Sequence, residues 1–167
     1  MLIGLDPGTS ESAYFLWDGK RPVAWGKIPN QQLLSDLYAY RHRCMEHNPD
    51  RLVIEMVQSM GMAVGQSIFD TCVWIGRFIE AFGVERCSRV YRREVKLHIC
   101  GTSKANDSTI RTALIDRFGA PGTKKKPGFS HGITADAWQA FALAVTWWDQ
   151  YGERLYARNP EPAEAAS

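Results

Sequence analysis

The chain of 167 residues is 45% hydrophobic and 23% charged, enough apolar mass for one buried core, which excludes a disordered polymer or a miniature disulfide scaffold. No apolar run reaches the roughly 18 residues of a membrane span, and the opening MLIGLDPGTS lacks the basic-then-apolar order of a secretion signal, so a soluble, cytoplasmic protein is expected. The net charge of +2 conceals an asymmetry: residues 86–126 hold eleven Lys/Arg against Glu94, Asp107 and Asp116, a local surplus of +8 that suits a polyanionic partner and leaves −6 elsewhere.

In chain order, LIGLDPG reads as a strand broken by an Asp-Pro-Gly turn, and residues 13–17 and 22–28, parted by Asp18-Gly19, read as the next two strands of an antiparallel meander. Leu33, Leu34, Leu37, Tyr38 and Arg41 recur at helical spacing over about 30–47, and Asn48-Pro49 stops that helix. The nearly continuous apolar run RLVIEMV at 51–57 is that of a strand covered on both faces, as in the parallel part of a sheet. A helix over about 64–82, a strand near 89–91, a short helix around 94–99 and a helix capped by Asn106 or Asp107 and running to Phe118 follow.

Gly119 to Ser130 is rich in Gly, Pro and Lys and is expected to be a mobile loop; a last helix over about 134–150, rich in small residues, can approach a sheet closely. Residues 151–167 form a C-terminal extension that ends in a disorder-prone composition. Cys44, Cys72, Cys87 and Cys100 contain no CxxC pair, so reduced, structural thiols are expected rather than zinc ligands. The alternation of strands and helices indicates one mixed α/β domain over 1–150.

Three acids stand out. Asp6 ends the first strand, where it serves either an Asx-turn or an open sheet edge. Glu55 lies inside an apolar strand, on the face of Val53 and Val57, and needs either an arginine partner or a cation there. Asp136 opens the Ala-rich last helix, where it either complements the helix dipole or joins a site. Hard oxygen ligands without a Cys or His cluster select Mg²⁺ or Mn²⁺, and neither GxSxG nor a Cys/His pair is present for covalent catalysis.

LDPGTS, then VIEM after a crossover helix, then an acid opening a final Ala-rich helix resemble, in that order, the RuvC-like branch of the RNase H-like nucleases. IEMVQSMGMAVG, TCVWIGRF, VYRREVKLHICG, DSTIRTALIDRFG and GITADAWQAFALAVTW are most similar to the short phage-encoded RuvC-like Holliday junction resolvases, over about residues 1–150. The resemblance implies an RNase H-like fold, a five-stranded mixed sheet with its first three strands antiparallel, flanked by helices. It implies a homodimer that nicks four-way and other branched DNA by hydrolysis, leaving 5′-phosphate and 3′-hydroxyl ends, in the cytoplasm of a host cell if phage-encoded.

By the same resemblance, Asp6 bridges two Mg²⁺ ions, with Mn²⁺ able to substitute, while Glu55 holds one and Asp136 the other. No nucleotide cofactor is implied. Cellular RuvC proteins place a second acid or a His three residues from the first on the last helix. Here the pair is Asp136 with Gln139 or Ile133 with Asp136, so Asp107 and His131 are the available fourth ligands. Asp107 stands where cellular RuvC tends to have a lysine, and it is also placed to cap a helix.

Arg92, Arg93, Lys96, Lys104 and Arg111 are the expected phosphate contacts, with Lys124, Lys125 and Lys126 as a clamp on a second duplex arm. Met60 and Met62 serve either as an apolar wedge between bases or as core, and the 64–82 helix is the expected dimer face. Three rival readings are a general branched-DNA nuclease that also cuts forks and flaps, an inactive junction-binding protein, and an actin-like or sugar-kinase fold, whose phosphate loop also starts Asp-x-Gly-Thr but which needs two domains.

Overall fold

The computed structural model describes residues 1–43, 50–58, 61, 63–134 and 136–152. Met60, Met62, Cys44 and the extension from residue 153 onward lie outside them. Five strands, β1 (Leu2–Asp6), β2 (Glu11–Trp17), β3 (Pro22–Pro29), β4 (Arg51–Met56) and β5 (Cys87–Tyr91), form one sheet in the order β3-β2-β1-β4-β5. The β1–β2 and β2–β3 pairs are antiparallel, whereas β1–β4 and β4–β5 are parallel. This is the five-stranded mixed sheet of the RNase H-like fold.

Because successive strand residues face opposite sides, the sheet has two separate cores. On one side α1 (Asn30–Arg43) and α2 (Gln66–Phe82) bury Leu33, Leu37, Ile75 and Phe78 against Ile3, Leu5, Leu52 and Ile54. On the other, α3 (Arg92–Cys100), α4 (Asp107–Phe118) and α5 (Ala137–Trp147) cover Leu2, Phe15, Trp17, Val53 and Val90. Every residue of α5 is buried. Its small residues allow that: a Cβ on Gly4 of β1 would lie 1.9 Å from the Ala140 carbonyl oxygen, so strand and helix backbones touch directly. Among the described residues no helix is long and apolar enough to cross a membrane.

Two expectations are corrected. In the Gly/Pro/Lys segment 119–130, expected to be loop throughout, β6 (Gly122–Thr123) and β7 (Lys126–Pro127) pair as a hairpin with Lys124 and Lys125 at its turn. Gly122 has φ +70, the Gly128 N–H bonds the Pro121 carbonyl at 2.8 Å, and Phe129 stacks on Phe118 with centroids 5.0 Å apart. Glycine and proline mark the turn, but the aromatic stack beside it is a tertiary contact. The last helix also begins later, at Ala137, and after Trp147 it becomes a π-helical turn, Trp148–Gly152. There Asp149 accepts from Arg117 Nη2 at 2.7 Å and contacts His98 Nε2 at 2.7 Å, tying α3, α4 and the end of α5 together.

Candidate active site

The β1–β4 register pairs Leu5 with Ile54, so Asp6 and Glu55 emerge side by side at the carboxyl ends of two adjacent parallel strands. Both share the α5 face, Asp6 with Leu2 and Gly4, Glu55 with Val53. Asp6 also pairs with Ala13, and Ala13 with Lys27, so a single row across the sheet runs from Lys27 through a small side chain to the two acids. Such carboxyl ends are where open α/β sheets bind ligands.

The turn behind Asp6 is tied by side-chain hydrogen bonds. Buried Ser12 donates to Asn30 Oδ1 at 2.6 Å and accepts from the Gly8 N–H at 3.2 Å, while Asn30 Nδ2 donates to the Gly8 carbonyl at 2.9 Å. Gly8 is obligatory, since a Cβ there would lie 2.3 Å from the Glu11 carbonyl oxygen. Neither Ser12 nor Asn30 was singled out in the sequence for this role; the signal would have been two polar residues at positions the strand and helix patterns bury.

Burial raises the carboxyls of both strand acids. Asp6 is pushed up to about 7, first by burial and then by the charge of Glu55, with Asp136 and Asp107 adding and Arg92 opposing. The acids on helices are different. Asp136 stands at the N-cap position of α5 but makes no side-chain cap bond; its Oδ2 instead meets Lys27 Nζ at 2.9 Å. Asp107 is likewise no cap, because Asn106 accepts from the Thr109 N–H at 2.9 Å, and the Asp107 carboxylate pairs with Arg92 Nη2. Arg92 Nη1 contacts Glu55 Oε2 at 3.2 Å. No described hydrogen bond or ion pair joins the His131 side chain to these groups; its backbone N–H bonds the Gly128 carbonyl in the turn after the hairpin.

The residues fit a hard divalent cation by chemistry: the charges of Glu55, Asp136 and Asp107 all act on a half-buried Asp6, and Gln139, one turn into α5, holds a buried Oε1 with no hydrogen-bond partner. Among the described residues no three His, Cys, Asp or Glu side chains are gathered closely enough to cage an ion; Lys27 pairs with Asp136, and Arg92 with Glu55 and Asp107.

The basic segment is sorted by the fold. Arg86 donates to the Phe82 carbonyl at 2.9 Å and Arg117 pairs with Asp149, so both are structural. Lys96 acts on Glu55, and Arg92 is taken up by the carboxylates. Arg93, Lys104, Arg111 and Lys124 to Lys126 are exposed, with Arg111 over the Trp138 ring at 5.5 Å.

The sequence matches no protein-family model and no curated protein. Two solved structures are similar in fold. Thermus thermophilus RuvC superposes with a TM-score of 0.59 at 15% identity, covering 94% of this chain and 95% of that one. T. thermophilus RuvC in complex with a Holliday junction substrate superposes with a TM-score of 0.63 at 14% identity, covering 94% of each chain. The chain therefore has the RuvC fold along nearly its whole length.

Proposed function

We propose that this protein is a structure-selective DNA endonuclease of the phage RuvC type, acting on four-way junctions by metal-dependent phosphodiester hydrolysis that leaves 5′-phosphate and 3′-hydroxyl ends. The observation that carries the reading is the half-buried Asp6–Glu55 pair at neighbouring strand ends, in a fold shared with a protein solved on a Holliday junction. Asp6, Glu55 and Asp136 would hold two Mg²⁺ ions, or Mn²⁺, with Asp107 the further candidate. Such ions stabilise charge on the phosphoryl group and make water a competent nucleophile.

The chain's own residues supply the rest. Burial keeps Asp6 and Glu55 poorly hydrated, so each favours a cation over solvent. The exposed Arg93, Lys104 and Arg111, together with the lysine-tipped hairpin, would follow the phosphate backbone and position a branch without reading sequence. α2 exposes Phe69 (57%) and Val73 (62%) one turn apart beside Tyr38 of α1, an apolar stripe that supports a two-fold homodimer presenting two active sites. Residues 1–150 would form the nuclease domain, acting in the cytoplasm.

A second reading, an inactive junction-binding protein, is favoured by one observation: Lys27 and Arg92 already neutralise three of the four carboxylates. Incubating the protein with a labelled immobile four-way junction, with Mg²⁺, Mn²⁺ or neither, separates the two. Fork, flap and linear duplex controls and an Asp6→Asn variant complete the test. Paired metal-dependent nicks on the junction, lost in Asp6→Asn while binding persists, are expected. Tight binding without any cut would establish the second reading instead.

A further inference from the structure

We propose that Asp107 is a positioning residue that holds Arg92, and that Arg92, rather than Asp107, is the fourth functional group of the site, offered to a non-bridging oxygen of the DNA phosphodiester. The inference rests on the endonuclease reading and assigns a role within the same site.

Arg92 is the first residue of α3, immediately after β5, and β5 pairs Val90 with Glu55 and Tyr91 with Met56. The chain therefore turns out of the sheet beside the strand acids, and the fork of the guanidinium divides between two carboxylates, Nη1 on Glu55 and Nη2 on Asp107. A fork gripped at both nitrogens has a fixed plane, which a lysine in its place would not have. The helix start is fixed too, because the Tyr91 N–H donates to Glu94 Oε2 at 2.7 Å.

Asp107 is 69% exposed, whereas Arg92 is 27% and Glu55 20% exposed, so the three form a gradient from solvent to the strand acids. Asn106 already caps α4, which frees the Asp107 carboxylate from helix duty. Its Oδ1 is committed to Arg92, and turning that oxygen to a metal would leave a half-buried guanidinium short of one acceptor. As a positioning residue it stays where it is. Lys96 adds positive charge on the same side of Glu55, so an anionic diester approaching the strand ends meets cations on the α3 side.

The test uses the full chain. Manganese binding without DNA is titrated for wild type, Asp6→Asn, Asp107→Ala and Arg92→Ala, and junction cleavage is measured at saturating metal, with the Arg92→Ala/Asp107→Ala double variant included. Asp107→Ala is expected to bind as many Mn²⁺ equivalents as wild type, whereas Asp6→Asn binds fewer. Each of Asp107→Ala and Arg92→Ala lowers kcat by about 10- to 100-fold. The double variant falls no further than Arg92→Ala alone, the mark of a residue acting through its neighbour. Asp107→Glu, which keeps a carboxylate for Arg92, recovers most of the rate.

Loss of Mn²⁺ equivalents in Asp107→Ala, losses that multiply in the double variant, or no recovery with Asp107→Glu would overturn the inference alone. A wild-type chain that binds no Mn²⁺ would overturn the endonuclease reading and this assignment with it.

Discussion

The site joins two kinds of acid. Asp6 and Glu55 are carried by the middle of the sheet, backed by α5, and burial raises both. Asp136 and Asp107 open helices at the rim, are 53% and 69% exposed, and each is held by one cation, Lys27 or Arg92. A strand end inside a five-stranded sheet cannot yield without breaking ladder bonds, so like charges placed there stay close and destabilise the fold. A helix start at the surface can relax, so the rim acids cost little stability and can exchange partners. The pairing of a rigid, destabilised couple with adaptable rim groups is an arrangement in which a cation gains most from the first and is completed by the second.

The largest effect that would break this contrast is at Asp6. Its carboxyl is raised from 3.8 to about 7, so it favours the folded state when protonated; that advantage is complete below pH 3.8 and is lost as pH rises through 7. Asp6→Asn, which cannot ionise, is therefore expected to stabilise the metal-free protein by up to about 4 kcal/mol above pH 7 and hardly at all near pH 3. Urea unfolding across that pH range checks it; a variant no more stable than wild type at pH 8 would contradict the destabilised couple.

Next in size is the backing of the couple. Gly4→Ala drives a methyl into the Ala140 carbonyl, and is expected to cost about 3 kcal/mol and to weaken cleavage by moving the helix that carries Asp136. Unfolding midpoint and junction cleavage measured together report both. A smaller loss, about 1–3 kcal/mol, is expected for Asn30→Ala, which leaves Ser12 and the Gly8 carbonyl without their partner. The smallest is at the rim: Asp136→Asn leaves unfolding at neutral pH unchanged, because its bridge to Lys27 is exposed, yet abolishes cleavage. A stability loss there as large as that at Asn30 would erase the distinction between the two kinds of acid.

Much of this is legible in the sequence. The meander, the crossover helix, the doubly covered β4 and the close-packed last helix follow from periodicity, turn residues and small side chains, all of them local signals. Glu55 declared itself because a charge inside an apolar strand demands a partner. The partners did not. Lys27 interrupts β3 with no local sign that it reaches Asp136, and Arg92 reads as a phosphate contact rather than as the link between Glu55 and Asp107. Asn106 and Asp107 were indistinguishable as caps, since either residue type serves, and only the Thr109 N–H decides between them.

What the sequence by itself determined is the order of elements, the strand face that Glu55 shares with Val53 and the surplus of positive charge after β4, because alternation and composition are properties of neighbouring residues. What the tertiary structure alone decided is strand register, which sets Asp6 beside Glu55 and aligns Lys27 with both. It also decided the pairing of the lysine hairpin and the choice of cation for Asp136, Glu55 and Asp107. Those depend on residues tens of positions apart meeting within a few ångströms, and a Coulomb or hydrogen-bond contact leaves no periodic trace along the chain that makes it.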